Sequence, residues 1–372
     1  MNNFDIVIVG SGIMGLACAY HASIKGLKVA VIEKDSSPKS ASVQNFGLVW
    51  PIGQKQGEDY TLALESRKIW LELSNKANFN INPLGSLHLA YYDDEWNVLQ
   101  EYFDSLTIHQ NDFKLFKPKE ILSRHSYVNP YSLKGALFSP FEMCLNPYEV
   151  ILKIIAYLKE QQKVHFYFNT HVIHVENNDI FTLNQQFKAS QIIVCSGNNS
   201  SLLFNTSSIL QELVPCKLQM MKSIPYPSFT LKAILSGGLT LRHYKSFSHC
   251  ISLKKVKKRI AEELPEFDKY GIHVMITQNN LGELIIGDSH EYGDEIDVFN
   301  KQLINEYILN YLKTFFKLNK PIQIQQTWNG MYMKHLDKSY VLEKPQKNIT
   351  ILNGLGGNGM TLSLALSKKI ML

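Results

Sequence analysis

Three glycines near the amino terminus have the spacing that binds the phosphates of a dinucleotide. Gly10, Gly12 and Gly15 follow a short run of apolar and β-branched residues, and a second such run ends at Glu33. The first glycine permits a tight turn, the second lets the backbone approach a pyrophosphate, and the third lets a helix pack against the strand. A carboxylate at position 33 can accept the ribose hydroxyls and would repel a 2′-phosphate. The pattern predicts a dinucleotide site without separating FAD from NAD.

The elements that position these residues follow from the hydrophobic pattern. Residues 4–9 and 27–32 are apolar runs typical of buried parallel strands, and residues 16–25 between them indicate a helix that ends at Gly26. The amino terminus of that helix offers unpaired N–H groups to the phosphates. This unit contributes the following residues to the expected cofactor site: Gly10, Gly12, Ile13, Met14, Gly15, Glu33 and Lys34.

A second glycine-rich turn, near the carboxyl end, favours a flavin. Residues 349–352 have the pattern of a strand, residues 353–361 carry four glycines, and residues 362–371 have helical character. A second turn of this kind requires a second anionic or electron-rich ligand group. In a flavoprotein that group is the flavin C2 carbonyl and N1, where a helix amino terminus can stabilise negative charge.

Together these features resemble the D-amino acid oxidase/glycine oxidase/sarcosine oxidase family of FAD-dependent enzymes, almost from end to end. The resemblance also covers residues 42–47, 170–172, 192–197 and 285–287. It implies FAD as the cofactor, a backbone contact between Val172 and the adenine, and a turn beside the FAD phosphates at the end of the 192–197 segment. The further contacts that it implies are Ser42, Gln44, Asn45, Phe46, Gly47, Val172, Cys195, Ser196, Gly197, Gly354, Gly356, Gly357, Asn358, Gly359, Met360 and Thr361.

Four longer sequence segments are similar to those of one branch of this family. That branch is proposed to act in 2-aminoethylphosphonate breakdown. The four segments cover residues 42–54, 217–220, 287–293 and 328–332. The resemblance implies hydride transfer from the carbon beside a neutral amine to flavin N5, followed by hydrolysis of the imine, with no dedicated catalytic base. The expected substrate is a small amine, with aminophosphonates and N-methylated amines as candidates. The alternatives are a D-amino acid or glycine-type oxidase, a tRNA-modifying flavoenzyme, and a flavin-binding protein without turnover.

The sequence also departs from the better-known members of the family. Sarcosine oxidases attach FAD to a cysteine shortly before the final glycine turn, where this chain has Gly330, Met331 and Tyr332. We therefore expect non-covalent FAD. The substrate carboxylate is held in those enzymes by a lysine at the position of Thr361, and in D-amino acid and glycine oxidases by an arginine near the position of Tyr332. Because both anchors are missing here, an ordinary α-amino acid is a less expected substrate.

The expected fold class is α/β, with two domains. A Rossmann-like FAD-binding domain with a glutathione-reductase-like βαβ unit comprises residues 1–83, 146–214 and 326–372. A substrate domain, built on a mixed or antiparallel β-sheet with helices, comprises residues 84–145 and 215–325 and lies over the flavin.

Alternating polar and apolar residues predict strands over residues 238–244, 271–278 and 282–290, with a hairpin turn between the last two. Arg242 is the only one of the four arginines expected on such a strand, and an arginine suits a planar anion. The candidate substrate-binding residues are Arg242, His273, His290 and Tyr332. For the first three, the competing interpretation is an ordinary solvent-facing or locally hydrogen-bonded side chain. Helices are expected over 59–76 and 146–162, and one strand over 165–174.

Composition narrows the class of protein further. The formal charge of +5 is too small to imply nucleic acid by itself, and the basic run 254–259 precedes Glu262 and Glu263, as on a solvated helix. The five cysteines form no C-x-x-C pair, which argues against a disulfide framework or a zinc ribbon. No apolar run approaches the ~20 residues of a membrane span. We expect a cytoplasmic enzyme with a small-molecule amine substrate and no nucleic-acid partner; the oligomeric state stays open.

Overall fold

The computed structural model describes residues 2–199, 203, 208–293 and 295–371. The described α-helices are α1 (Ile13–Ile24), α2 (Glu58–Ala77), α3 (Asp93–Ser105), α4 (Pro118–Arg124), α5 (Pro147–Glu160), α6 (Ser208–Gln211), α7 (Leu253–Glu263), α8 (Pro265–Lys269), α9 (Gln302–Phe315) and α10 (Gly359–Met371). None of them, within these ranges, combines the length and the hydropathy that a membrane span requires.

The described strands, in chain order, are β1 (Asn2–Val9), β2 (Val29–Ile32), β3 (Leu48–Val49), β4 (Ile81–Asn82), β5 (Ser86–Ala90), β6 (Lys114–Phe116), β7 (Gly135–Ser139), β8 (Met143–Leu145), β9 (His165–Tyr167), β10 (Val172–Glu176), β11 (Asp179–Thr182), β12 (Gln186–Val194), β13 (Leu213–Pro225), β14 (Ile234–Ser236), β15 (Met275–Gln278), β16 (Glu283–Gly287), β17 (Glu291–Tyr292), β18 (Ile324–His335), β19 (Val341–Gln346) and β20 (Ile349–Asn353).

The first sheet is a Rossmann-like sheet with β1 at its centre. β1 runs parallel to β2 and β12, and the parallel set continues to β9 on one side and β20 on the other. β10, β11 and β19 add antiparallel strands. Ile6 and Ile8 belong to one apolar layer and Val7 to the opposite one, and all three are fully buried. Because both faces of β1 are covered, the strand has a continuous apolar sequence without alternation.

The carboxyl-terminal helix returns to the amino-terminal unit. α10 packs against α1 and α2, and the indole N–H of Trp70 in α2 donates to the carbonyl of Met360 at 2.7 Å. A Cβ placed on Gly359 would lie 3.4 Å from Cγ2 of Ile13. This packing brings the two glycine-rich turns, which are far apart in the sequence, side by side.

The second sheet is mostly antiparallel, with the strand order β17-β13-β16-β15-β14-β5-β7-β6 and β18 paired to β13. Within this second sheet, the pairing of β14 with β5 is the only parallel one among the described strands. The mixed α/β fold that we expected is confirmed. The sheet boundary differs from the expected domain boundary, because β18 pairs with β13 along its length. The pairing runs from Leu213 opposite His335 to Ser223 opposite Ile324. Residues 326–335 therefore lie in the second sheet.

The predicted strand over residues 238–244 is wrong. Gly238–Arg242 forms a 3₁₀ helix instead. The Thr240 hydroxyl donates to the carbonyl of Gly237 at 2.7 Å, and its backbone N–H bonds the same carbonyl at 3.0 Å. A threonine side chain that satisfies a nearby carbonyl in this way favours a turn over a strand.

Three other predicted elements changed in length or number. The expected strand over 165–174 is two strands, β9 and β10, separated by a turn in which Asn169 has φ +51°. The strand expected over 271–278 is regular only from Met275. The helix expected over 146–162 is present as α5, where the Asn146 side chain accepts from the backbone N–H of Glu149 at 3.3 Å.

Candidate functional site

The first glycine turn requires glycine at the positions that the motif assigns. Gly10 has φ +101°, and a Cβ there would lie 2.5 Å from the carbonyl oxygen of Cys195. A Cβ on Gly15 would overlap the carbonyl oxygen of Gly10. The backbone N–H of Ile13, at the start of α1, donates to Oγ of Ser42 at 2.9 Å. The turn is thus held closely between α1, the end of β12 and the loop after β2.

A cleft of about 1270 Å³, open to solvent, lies beside this turn, and we name it the fingerprint cleft. It brings together eleven of the cofactor residues expected from the first fingerprint, the 42–47 loop and the 172–197 segments: Gly10, Gly12, Ile13, Met14, Glu33, Lys34, Ser42, Val172, Cys195, Ser196 and Gly197. Asp35, Thr170, Asn198 and Met333 also line it and were not expected. Their neighbours in the chain were the available signal, since residues next to a motif share its cleft.

Glu33 is fixed at the wall of the fingerprint cleft. One carboxylate oxygen accepts from the backbone N–H and the hydroxyl of Ser11, at 2.9 and 2.8 Å, and the other accepts from the backbone N–H of Asp35 at 3.1 Å. The side chain is 8% exposed. A carboxylate held in this way keeps lone pairs for the hydroxyls of a ribose.

A second cavity of about 1340 Å³, which we name the roofed cavity, continues from the fingerprint cleft. The two share Ile13, Ala41, Ser42, Tyr332, Leu355, Gly356 and Gly359 as lining residues. The roofed cavity also contains the remaining loop and turn residues that we expected around FAD: Gln44, Asn45, Phe46, Gly354, Gly357, Asn358 and Met360.

The chain fits FAD along this continuous space. A Cβ on Gly357 would find only the Tyr332 hydroxyl within 4 Å in the described chain, at 3.8 Å. The final turn therefore leaves room for a flat ring, and the amino terminus of α10 faces that room. Three expected cofactor residues lie outside the described lining of both spaces: Gly15, Gly47 and Thr361. They pack the site from behind; Thr361 Oγ1, for example, accepts from the backbone N–H of Trp50 at 3.0 Å.

The roof of this cavity carries three of the four expected substrate-binding residues. His273, His290 and Tyr332 all line it, together with His243 and Asp288, which sequence reasoning missed. The ring centroid of His243 lies 3.9 Å from that of His273 and 4.3 Å from that of His290. His243 lies within the stretch 238–244 that was wrongly predicted as a strand, so the alternation of residue types there gave no information about where its side chain lies.

Arg242 lies elsewhere, and its assignment is corrected. Its guanidinium donates to Oδ1 of Asp268 at 2.8 Å and to two backbone carbonyls, of Phe267 and Ile272, at 2.9 Å each. It is absent from the described lining of either cavity. The 3₁₀ turn directs its side chain toward α8 rather than over the flavin space.

Lysines take the place of arginine in the wall of the roofed cavity. Lys55, Lys245, Lys334 and Lys338 line it. Lys334 follows Tyr332 by two residues in β18, so the period of a strand places both on one face. That spacing was the signal that sequence analysis overlooked.

Burial dominates the electrostatics of the roof. It lowers the pKa of His290 to about 3 and the pKa of His273 and His243 well below the ordinary value, with smaller contributions from neighbouring positive charges. Burial also raises the pKa of Asp288 well above its ordinary range and lowers that of Lys334. The three imidazoles are consequently neutral at physiological pH.

Comparison with known proteins gives a consistent result. A family model described as FAD dependent oxidoreductase (DAO) matches residues 5–371. Monomeric sarcosine oxidase from Bacillus sp. (strain NS-129) is 22% identical over 97% of this chain and 90% of that protein. The crystal structure of glycine oxidase from Geobacillus kaustophilus superposes with a TM-score of 0.80, at 17% identity, over 99% of this chain and 93% of that one.

A third similarity covers only part of the relative. Glycerol 3-phosphate oxidase from Mycoplasma genitalium is 26% identical over 56% of this chain, and the aligned region spans 58% of that protein's length. The structural likeness, at this level of identity, supports the fold.

Proposed function

The chain belongs to the DAO family of FAD-dependent oxidoreductases, and from that premise we propose that it oxidises the C–N bond of a small amine that carries an anionic group. The observation that carries the proposal is the wall of the roofed cavity. Four lysines line it beside the final glycine turn, against two aspartates, Asp59 and Asp288, and arginine is missing from the described lining. A cavity with this wall attracts an anion without offering the bidentate fork that suits an α-carboxylate.

The residues of this chain position the substrate and control its surroundings. FAD, when bound, supplies the hydride acceptor. Trp50, Tyr244 and Tyr332 give the cavity aromatic walls that exclude water from the reacting carbon. The amino terminus of α10 lies where negative charge develops during the reaction. Since the amine reacts in its neutral form, we assign no general base.

Within this class we propose an aminophosphonate, or its N-methylated form, as the substrate. Each of the four segments that resemble the aminophosphonate branch contributes a residue to the lining of the roofed cavity. These residues are Trp50 from segment 42–54, Met220 from 217–220, His290 from 287–293 and Tyr332 from 328–332. The resemblance is therefore concentrated at residues that face the substrate space. Lysine binds phosphate-like groups as a compact point charge, which agrees with the composition of the wall.

The test is reduction of the bound flavin by candidate substrates under anaerobic conditions. The panel contains 2-aminoethylphosphonate, its N-methyl derivative, glycine, sarcosine, D-alanine and glycerol 3-phosphate, and flavin absorbance is the readout. We expect the two aminophosphonates to bleach the flavin fastest. Faster bleaching by glycine or sarcosine would contradict the aminophosphonate assignment, and bleaching by glycerol 3-phosphate alone would contradict amine oxidation.

A further inference from the structure

We propose that His243, His273 and His290 form a binding site for a divalent transition-metal ion in the roof of the cavity. These residues, the histidine cluster, each offer one ring nitrogen, and the three nitrogens all lie within 4.8 Å of one another. The proposal concerns the resting protein and does not depend on which substrate it oxidises.

Three separate segments of the chain converge to make the cluster. His243 follows the 3₁₀ helix Gly238–Arg242, His273 precedes β15, and His290 follows β16. The backbone of His273 is fixed by two hydrogen bonds with Asp288, of 3.1 and 2.8 Å. The backbone N–H of His290 donates to the carbonyl of Tyr270 at 2.8 Å. Main-chain bonds therefore hold these two rings in place independently of any contact between their side chains.

The ring nitrogens lack the partners that buried polar atoms normally have. His273 is 2% exposed and His290 is 5% exposed, yet both nitrogens of His273 and Nδ1 of His290 have no hydrogen-bond partner in the described chain. Asp288 Oδ1 lies 3.2 Å from Nε2 of His273 without forming a hydrogen bond. Buried polar groups are almost always satisfied, so an unmatched set at one point indicates a ligand.

The donor atoms of the cluster suit a cation. Imidazole nitrogens are the commonest metal ligands among protein side chains. Asp288 is the acidic group beside them, with Oδ1 3.2 Å from Nε2 of His273 and Oδ2 4.0 Å from Nε2 of His290; a bound cation would favour the ionised form of its carboxyl group. Of the neighbouring positive groups, Arg242 is paired with Asp268, and Lys334 donates to the phenol oxygen of Tyr292 at 3.3 Å.

The other titratable groups that face the cluster are neutral. Burial raises the pKa of Tyr244 and Tyr332 above the ordinary range of a phenol, and it raises that of Tyr292 and of the Cys216 thiol in the same direction. They neither compete with a cation as charges nor donate a proton to the imidazoles.

Three imidazoles with a nearby carboxylate suit Zn²⁺, Mn²⁺ or Co²⁺. In a tetrahedral zinc site the nitrogens lie about 2.0–2.1 Å from the ion and so roughly 3.3 Å from one another. Binding therefore requires the rings to bring their nitrogens closer together than the 4.8 Å within which they now lie. Three protein ligands leave a coordination position open toward the cavity.

The experiment measures metal bound to FAD-loaded protein. The protein is stripped with a chelator, dialysed separately against Zn²⁺, Mn²⁺ and Co²⁺, and analysed for metal and FAD per chain. We expect about one equivalent of at least one metal. His273→Asn and His290→Asn should each lower the bound metal at least tenfold while FAD per chain stays unchanged. Because normalisation is to FAD-bound protein, misfolded material does not enter the ratio.

His88→Asn is the matched control, since His88 is also a buried histidine whose two ring nitrogens have no partner in the described chain, outside the cluster. It should keep the metal. Binding below a tenth of an equivalent for all three metals, or unchanged binding in both cluster variants, would overturn the proposal. Stabilisation of metal-free protein by inorganic phosphate, abolished in the same variants, would show an anion site instead. If His273→Asn yields no FAD-bound protein, His243→Asn is measured instead, and it should likewise lower the bound metal at least tenfold while FAD per chain stays unchanged.

Discussion

The fingerprint cleft and the roofed cavity are adjacent parts of one space, yet mainly backbone groups form the first and mainly side chains form the second. The cleft depends on backbone: glycine turns, a helix terminus and a carboxylate, Glu33, whose oxygens already accept three hydrogen bonds. The roof depends on buried side chains, several of them ionisable, whose polar atoms remain unmatched in the described chain. Backbone geometry tolerates little change, whereas a side chain can be exchanged singly. Mutations in the two regions should therefore separate FAD retention from substrate selection.

The largest effect is expected from Gly10→Ala. The added Cβ would lie 2.5 Å from the Cys195 carbonyl at a φ of +101°, so the turn cannot keep its shape and FAD per purified chain should fall more than tenfold. Gly26→Ala is the control, because its φ is also positive at +78° while a Cβ there would meet no described atom within 4 Å. It should keep FAD and lose about 1–2 kcal/mol of stability. Equal FAD content in both variants would refute the steric explanation.

Glu33→Lys should weaken FAD binding by roughly ten- to a hundredfold, as loss of a charged hydrogen bond costs about 1.5–3 kcal/mol. Titration of the apoprotein with FAD, followed by flavin fluorescence, gives the dissociation constant. Glu176→Lys reverses a charge on the same sheet at a side chain that is 61% exposed, and should bind FAD normally. A similar loss in both variants would point to net charge rather than to the ribose contact.

Lys334→Met tests the roof. We expect kcat/KM for the anionic amine to fall about tenfold or more, because the substrate loses one charged partner, with FAD content unchanged. Lys338→Met, at a cavity-lining side chain that is 52% exposed, should have a smaller effect because water screens its charge. Steady-state kinetics on the best substrate of the panel measure both. A larger loss of kcat/KM in the Lys338 variant would make Lys338, rather than Lys334, the main partner of the substrate's anionic group.

Arg242→Ala should change stability rather than substrate binding. The variant removes the guanidinium donor from the Ile272 carbonyl and from Asp268, and one of two donors from the Phe267 carbonyl, which also accepts from the backbone N–H of Ile272. The expected cost is about 1–3 kcal/mol in the free energy of unfolding. Chemical denaturation measures this loss, and KM should change less than about threefold. Arg242→Lys should restore part of the stability, since one ammonium group cannot replace the fork. A raised KM with unaltered stability would return Arg242 to the substrate site.

The smallest effect is expected from removing thiols. Cys195 borders the fingerprint cleft, and Cys216 pairs in register with Tyr332. Cysteine is absent from the described lining of the roofed cavity. Acid precipitation should release all FAD from the wild type and equally from Cys195→Ser and Cys216→Ser, as measured by absorbance of the supernatant. Flavin that stays with the precipitate would contradict non-covalent binding.

Local patterns in the sequence determined the fold class and the choice of FAD as the cofactor. The order of β1, glycine turn, α1 and β2 ending at Glu33 occupies one continuous stretch of sequence, within which the carbonyl oxygen of Gly10 requires a glycine at position 15. The same holds for Asn146, whose capping bond reaches only three residues along the chain. Such features depend on short-range geometry, which one sequence carries.

The tertiary structure alone decided which side chains meet over the flavin space. Alternation suggested a strand for residues 238–244, but a 3₁₀ turn formed because Thr240 satisfies the carbonyl of Gly237, and Arg242 was thereby turned toward Asp268. His243, His273 and His290 come from three segments whose approach depends on how the second sheet packs. Burial, which lowers the pKa of all three imidazoles, is a property of that packing and produces no periodic pattern in the sequence.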